Sequence, residues 1–269
     1  MIPNRGSSPF SKIGYLPLNE KDVGREKSPS IIFCTVPFER LAKVTVALPL
    51  VAFIFCIVWS ILFNFDTTVS THCKVTNWLP SISAAIGNES PQREVWKLLI
   101  ALHAPTRFLV VWMYIEYFWK VLRSEILWLA GITCLLNVIE NVALLGLTFF
   151  TSADHYPIHE KCFITFIATS ELYMLLSSFL LSRRRARIAN NVESRSLRLK
   201  VKLLTVNAVS FIIAGYFFVR HNNYCEPYMY TLFAFFEYIV VITNMGYHMT
   251  ASYDLFDRVL HVGCPTYVT

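Results

Sequence analysis

Three polar side chains interrupt the apolar stretch CLLNVIENVALLGLTFF, residues 134 to 150. Glu140 and Asn141 follow Asn137 by three and four positions, so a helix carries all three on one face. An isolated charge inside a bilayer costs several kcal/mol. The pattern therefore predicts that the Glu140 carboxylate turns inward, toward a partner or a wet cavity.

Ionisable residues from four predicted membrane helices fall at nearly one depth. At about 1.5 Å per residue, His103, Glu140, Glu171 and Glu237 each lie roughly 12 to 15 Å from the same membrane face. Arg107 lies one turn from His103 on the same helix face and can pair with one of these carboxylates. The arrangement is either a polar network that holds the bundle together or a cavity that binds a lipid head group or supports acid–base chemistry.

The second interpretation assigns roles to these side chains. His103 and Glu140 are candidate catalytic residues, because both can exchange a proton. The remaining polar residues at this level are candidates for substrate binding: Arg107, Asn141, Glu171 and Glu237.

Two short stretches place a glutamate five positions after a histidine: HYPIHE at 155–160 and HNNYCE at 221–226. Lysophospholipid acyltransferases use a similar H-x-x-x-x-D motif, in which the acid orients a histidine that deprotonates the attacking hydroxyl. The acid here is Glu rather than Asp, and both stretches also suit an ordinary surface loop. His221 is a third candidate catalytic residue, and Arg220 beside it is a candidate for substrate binding.

The elements that position these residues are membrane helices. The chain has 269 residues, of which 55% are hydrophobic and only 16% charged, a balance that excludes a soluble domain. A bilayer core of about 30 Å takes roughly 20 helical residues to cross. Because unpaired backbone groups are costly in lipid, the chain is predicted to be an all-α, polytopic membrane helix bundle. Its six expected spans are 44–65, 95–119, 126–150, 162–181, 202–219 and 229–250, of which the fifth is the shortest.

The spans divide the chain into three parts. Residues 1–40 are polar and are expected to form a disordered cytosolic tail, residues 41–253 a six-helix transmembrane domain, and residues 254–269 a second cytosolic tail. Most of the 24 Lys and Arg residues fall in the two tails, the loop after the second span and residues 182–202, which predicts that both ends face the cytosol. The net charge of +6 follows from this topology and requires no nucleic-acid partner.

Three of the seven cysteines fall on the opposite, lumenal side: Cys73, Cys162 and Cys225. A secretory lumen is oxidising, so two of them can pair. A Cys73–Cys225 disulfide is favoured, with Cys162 as the competing partner and free thiols as the alternative. Cys34, Cys56, Cys134 and Cys264 are interpreted as packing or tail residues. No cysteine pair has the spacing of zinc ligands, so we expect no metal. The sequence has no P-loop and no G-x-G-x-x-G motif, and we expect no cofactor.

Four stretches, which include loops and intramembrane polar residues, resemble the post-GPI attachment factors of the Frag/DRAM/Sfk membrane-protein family. They are STHCKVTNWLPSISAAIGNESPQREVWKLLIALHAPTRFLV, LNVIENVALL, FVRHNNYCE and FEYIVVITNMGYHMTA. The similar region runs from about Leu41 to Tyr253. The resemblance implies a multi-pass protein of the Golgi membrane, possible also in the endoplasmic reticulum, that is needed for lipid remodelling of GPI anchors. In that remodelling, lyso-GPI is reacylated with a saturated fatty acid at sn-2.

Whether such a protein transfers the acyl chain itself stays open at this point. One hypothesis is a lyso-GPI acyltransferase with a lumen-facing site. The other is a non-catalytic lipid-binding or scaffolding subunit that presents lyso-GPI to another enzyme. A transporter or channel is a third class, disfavoured because no internal repeat is found. The expected partners are GPI-anchored proteins or lyso-GPI, membrane lipids, and an acyl donor or partner enzyme.

Overall fold

A computed structural model of the chain describes residues 30–87 and 89–265. Most of the predicted N-terminal tail therefore lies outside the described residues. The prediction of an α-helical bundle is confirmed, because six helices are long and apolar enough to cross a membrane. In chain order the helices are α1 (Phe38–Phe63), α2 (Phe65–Val69), α3 (Ile82–Gly87), α4 (Gln92–Val121), α5 (Leu127–Phe149), α6 (Tyr156–Arg183), α7 (Asn191–Tyr224), α8 (Met229–Met249) and α9 (Ala251–Asp254). Two strands, β1 (Ser30–Pro37) and β2 (Val259–Pro265), form a two-stranded sheet that the sequence did not predict.

The fifth membrane helix departs most from its predicted limits. The apolar segment 202–219 is the shortest of the six, yet α7 is 34 residues long. Its start is fixed by a capping box, in which the Asn190 side chain accepts from the Glu193 backbone N–H and the Glu193 carboxylate accepts from the Asn190 N–H. Hydropathy cannot detect this start, because the first three turns are polar and basic.

Buried polar contacts hold the first part of α7 in the bundle. The Lys200 ammonium is almost completely buried and lies 2.9 Å from the Asp254 carboxylate. Tyr114 of α4 donates a hydrogen bond of 2.7 Å to the same carboxylate. These partners offset the cost of burying the charges, and they join α4, α7 and α9 at one end of the bundle.

The helices pack mainly against their neighbours in sequence. α1 packs along α4, α4 along α5, α5 along α6 and α7 along α8, whereas α6 meets α7, and α1 meets α8, over a much smaller surface. Of the six membrane-length helices described, α7 has the smallest buried share. The junction between α6 and α7 is therefore one of two loose junctions among the described helices.

The opposite end of the bundle is held by a disulfide. Cys73, in the loop between α2 and α3, is bonded to Cys225, which directly follows α7, with 5.2 Å between the two Cα atoms. Cys162 is a free thiol, and Cys56 and Cys134 are buried free thiols. We refer to this end, which holds α2, α3 and the beginnings of α4, α6 and α8, as the disulfide end.

Candidate functional site

The polar stripe of α5 surrounds one arginine. The Arg107 guanidinium, on α4, donates to Asn141 Oδ1 at 2.7 Å and to Asn137 Oδ1 at 3.2 Å. Its Nη2 lies 3.4 Å from Glu140 Oε1, and both side chains are buried. All three polar residues of CLLNVIENVALL therefore bind Arg107, which explains why an apolar helix carries them.

Glu140 also contacts α8. Its Oε1 lies 2.8 Å from His248 Nε2 and accepts from the Asn244 amide at 3.3 Å. His248 Nε2 lies 3.1 Å from Arg107 Nη2 as well. A single ring nitrogen either carries a hydrogen and donates it to Glu140 or is unprotonated and accepts a hydrogen bond from Arg107, so the two hydrogen bonds exclude each other. The proton on His248 therefore decides which of these two partners it binds.

These residues border a cavity of about 310 Å³ inside the bundle, within the size range of ligand pockets. Arg107, Glu140, Asn244 and His248 line its deep end, while His103 lines it one turn away on α4. Most of its walls are apolar and come from α1, α3, α4, α5, α6, α7 and α8. The site thus combines a polar end with space suited to a hydrocarbon chain.

His103 presents one nitrogen to a fixed partner. Its Nδ1 lies 2.6 Å from the Thr45 carbonyl, and since a carbonyl only accepts, Nδ1 carries the hydrogen. In the neutral ring Nε2 then has a free lone pair. Because His103 lines the cavity, it has the form of a residue that can accept a proton from a bound hydroxyl.

A second polar group lies at the disulfide end of the cavity. Glu237, on α8, lines the cavity and accepts from the Ile82 backbone N–H at 2.9 Å. Ser83 of α3 and His159 of α6 line it as well, 3.0 Å apart between Oγ and Nε2. The sequence analysis selected neither Ser83 nor His159, although His159 stands inside the HYPIHE stretch that it did examine.

The depth estimate made from the sequence does not describe how Glu237 and Glu140 are arranged. On α8, Glu140 contacts Asn244 and His248, which lie two to three turns beyond Glu237, or roughly 10 to 16 Å along the helix. Counting residues from the end of each span assumes that all helices are parallel and end in one plane. The two carboxylates consequently occupy different ends of one cavity.

Four predicted site residues lie outside the cavity lining. Asn141, on α5, is buried and accepts from Arg107. Glu171 is half-buried on α6. Arg220 is in the last turns of α7 and pairs with Glu226. His221 is buried beside it, with Nε2 3.0 Å from Thr71 Oγ1. HYPIHE and HNNYCE are mainly helical rather than loops. Glu226, whose carboxylate was expected to orient His221, instead pairs with Arg220.

One group of side chains has the spacing of a metal site. The ligand atoms of His72, Cys73 and Cys225 lie within 4.8 Å of one another. However, the two sulfurs are joined in the disulfide, and a metal requires free thiolates. This group is therefore not a metal site in the oxidised protein.

The fold and site together define a class: a polytopic helical membrane protein with an internal, largely apolar cavity and polar side chains at both of its ends. Comparison with known proteins narrows the class. The Frag1/DRAM/Sfk1/Cwh43P N-terminal domain matches residues 37–258, and the chain belongs to this family.

Several named relatives are similar over most of the chain. "Post-GPI attachment to proteins factor 2" of Drosophila melanogaster is 48% identical over 240 residues, which cover 89% of this chain and 93% of the relative. "Acyltransferase PGAP2" of Xenopus tropicalis is 40% identical over 245 residues, covering 90% and 97%. "Protein cwh43" of Schizosaccharomyces pombe is 26% identical over 177 residues, covering 66% of this chain and 17% of that protein. No solved structure matches.

Proposed function

We propose that the chain takes part in remodelling the lipid of GPI anchors, by reacylating lyso-GPI with a saturated fatty acid at sn-2. The names of the Drosophila and Xenopus relatives support this assignment. The single observation that carries it is the apolar cavity with titratable side chains on its walls, because such a space accepts a fatty acyl chain and brings its polar end to groups that can move a proton.

The walls of the cavity suggest how a lipid enters. Phe211, Ala214, Gly215 and Phe218 line it from one face of α7, and Phe211 and Phe218 are also exposed on the bundle surface. This face borders the loose junction between α6 and α7. A lipid in the surrounding bilayer can therefore place an acyl chain in the cavity without leaving the membrane.

The candidate residues divide into two groups on this proposal. His103 and Glu140 line the cavity as candidate catalytic groups, and Arg107 and Glu237 line it as groups that hold polar parts of the lipid. Asn141 acts through Arg107, from which it accepts a hydrogen bond. Arg220 stays a candidate for contact with the glycan and phosphate outside the cavity, whereas this scheme gives no role to His221, which is buried, or to Glu171, which lies in the middle of α6. The lumenal side would be the disulfide end, in a Golgi or endoplasmic reticulum membrane, with both chain ends in the cytosol.

A second function has its own supporting observation. Arg107, Asn137, Asn141, Glu140 and His248 direct their hydrogen bonds mostly at one another. A polar group satisfied in this way can serve the fold alone. This favours a non-catalytic subunit that holds lyso-GPI for a separate enzyme.

Purified protein in nanodiscs distinguishes the two functions. We expect transfer of a labelled saturated acyl group to lyso-GPI, measured by mass spectrometry, in the absence of any other protein. Binding of lyso-GPI without turnover would replace the acyltransferase with the lipid-presenting subunit. In cells that lack the chain, unchanged GPI lipids would reject both.

A glycine pair tests whether the cavity is the lipid site. Gly215 lines the cavity, and a Cβ atom added there meets no atom within 4 Å, so Gly215→Trp can start without a clash and extend its ring into the space. We expect acylation or lyso-GPI binding to fall at least tenfold, while thermal unfolding changes little. Gly131→Trp on α5 is the matched control, because Gly131 is equally open but lies outside the cavity lining. Equal activity of the two variants would show that lipid binds elsewhere.

A further inference from the structure

Ser83 and His159 form a hydrogen-bonded pair at the edge of the cavity. Ser83 Oγ lies 3.0 Å from His159 Nε2, and both residues line the cavity. His159 is 5% exposed, whereas Ser83 is half-buried. A serine and a histidine at this separation have the geometry of a nucleophile and its base.

The histidine is held in the tautomer that such a base needs. Its Nδ1 lies 2.9 Å from the Phe150 carbonyl, so Nδ1 carries the hydrogen. In the neutral ring, Nε2 then accepts the hydrogen bond from the Ser83 hydroxyl. In serine hydrolases a carboxylate orients the histidine through Nδ1; here a backbone carbonyl occupies that position.

The segment that carries Ser83 is fixed by hydrogen bonds from α8. Glu237 accepts from the Ile82 backbone N–H, and Tyr230 donates to Ser81 Oγ at 2.8 Å, both from α8. Ser81 Oγ also accepts from the Ala84 N–H. These contacts tie the start of α3 to α8 and hold the Ser83 hydroxyl against His159, which α6 supplies.

An apolar path leads from this pair into the bundle. His159, Phe163, Phe166 and Ile167 follow one another on a single face of α6, and all four line the cavity. Ile86, one turn beyond Ser83 on α3, lines it too. A group bonded to Ser83 Oγ can therefore extend an acyl chain along these side chains.

We propose that Ser83 is the nucleophile and His159 the general base of an acyl transfer that passes through an acyl-serine. The proposal rests on the proposed acyltransferase function and names its machinery. Ser83 Oγ attacks the carbonyl carbon of an acyl ester or thioester while His159 Nε2 takes the hydroxyl proton. The donor's C–O or C–S bond breaks, and that proton leaves with the alcohol or thiol.

The second half of the reaction reverses the roles. The sn-2 hydroxyl of lyso-GPI attacks the acyl-serine carbonyl and gives its proton to His159 Nε2. The ester bond to Ser83 Oγ breaks, and the proton returns to that oxygen. Serine and histidine are regenerated, and the acyl group has moved from donor to lipid with no change in oxidation state.

The test uses the full chain in nanodiscs with a fluorophosphonate probe, which reacts with activated serines, and peptide mass spectrometry. We expect the wild type to be labelled at Ser83. Ser83→Ala removes the labelling and lowers acyl transfer at least 100-fold. His159→Gln keeps a polar group near Ser83 but cannot take its proton, so it lowers both by about 100-fold or more.

Two controls separate chemistry from structure. Ser70→Ala removes an exposed hydroxyl just after α2, and His155→Gln changes the histidine one turn before His159. Both are expected to retain labelling of Ser83. A purely structural Ser83–His159 contact would instead leave Ser83 unlabelled in the folded wild type.

The outcomes also separate this pair from the proposed function. If Ser83→Ala transfers the acyl group at a rate within twofold of wild type, the catalytic role of Ser83 and His159 is rejected, whereas the proposed acyltransferase function is retained. If Ser83 is labelled but lyso-GPI is not acylated, the proposed acyl transfer is rejected and only the reactivity of Ser83 is supported. If Ser83→Ala does not fold, absence of the probe from Ser83 in the wild type overturns the pair.

Discussion

The Glu140 carboxylate is the most enclosed charge of the candidate site, with 1% of its side chain exposed. Arg107, His248 and Asn244 all approach its Oε1, whereas Oε2 has no hydrogen-bond partner among the described residues. Removing one member of such a group leaves another charge buried without compensation. The contribution of these residues to the free energy of unfolding therefore depends on the pairing of Glu140 with Arg107 rather than on either residue alone.

We expect Glu140→Leu to lower the free energy of unfolding by about 3 to 5 kcal/mol, because it leaves the Arg107 guanidinium buried without its counter-charge. The double variant Glu140→Leu/Arg107→Leu should recover part of this loss. The measurement is a double-mutant cycle by denaturant unfolding in micelles.

Glu171→Leu is the control for the general effect of removing a membrane carboxylate. Glu171 is half-buried and lies outside the cavity lining, so its replacement should change the unfolding free energy by less than about 1 kcal/mol. Strictly additive losses at Glu140 and Arg107 would contradict the pairing.

The sequence predicted part of the site at this scale. Arg107, Glu140 and Asn141 could be selected because charge and amide groups are conspicuous in an apolar helix. Ser83 could not be, because a serine in a loop between spans carries no such signal. Its significance comes from His159, which is 76 positions away and is brought to it only by the fold.

At the scale of helices, α5 and α6 approach closely at Gly146. A Cβ atom added there would lie 2.5 Å from Cys162 Sγ, far inside contact distance. A larger residue at this position requires the Cys162 side chain, or the two helices, to move. The contact also accounts for the position of Cys162, which faces α5 and is free.

Gly146→Ala is therefore expected to destabilise the protein by about 1 to 3 kcal/mol through overpacking. Adding Cys162→Ala should restore most of that loss, since the removed sulfur is the atom in the way. Thermal unfolding in micelles measures both.

Gly131→Ala on the same helix meets no atom within 4 Å and should leave stability unchanged or slightly raised. A loss at Gly131 equal to that at Gly146 would point to a general effect of the glycine positions rather than to the contact with Cys162.

Helix limits could be predicted where hydropathy changes sharply and not where caps decide them. The sixth segment, 229–250, agrees with Met229–Met249 within one residue. The fifth was too short because Glu193 and Lys200 belong to a helix whose early turns are stabilised by a capping box and by Asp254. The short helices α2 and α3 had no signal of sufficient length.

For the molecule as a whole, the disulfide joins positions that are 152 residues apart. Closing a loop of that length restricts the unfolded chain and stabilises the fold by about 2 to 5 kcal/mol. We expect Cys73→Ser to lower the unfolding temperature and to shift the mobility of the unreduced protein on a denaturing gel.

Cys225→Ser should give the same result, and the double variant should be no worse than either single one. Cys162→Ser is the matched control, since its thiol is free. Thiol labelling of the unreduced wild type at Cys73 would contradict the disulfide.

The distribution of basic residues predicts that both chain ends face the cytosol. An epitope tag at either end should bind antibody after the plasma membrane alone is permeabilised. The same tag inserted after Ala153, in the loop between α5 and α6, should need full permeabilisation. Protection of the terminal tags would reverse the orientation and place the disulfide end in the cytosol.

Phe211, Gly215 and Phe218 of α7 line the cavity and also lie on the outside of the bundle. On the proposed function, this exposed flank determines which substrate concentration sets the occupancy of the cavity. A lipid substrate that enters through that flank comes from the surrounding leaflet. Its mole fraction among the neighbouring phospholipids, rather than its molarity, therefore enters the rate law. Diluting the substrate with inert lipid should then slow turnover even at a fixed total amount, a surface-dilution behaviour that enzymes acting on dissolved substrates do not display.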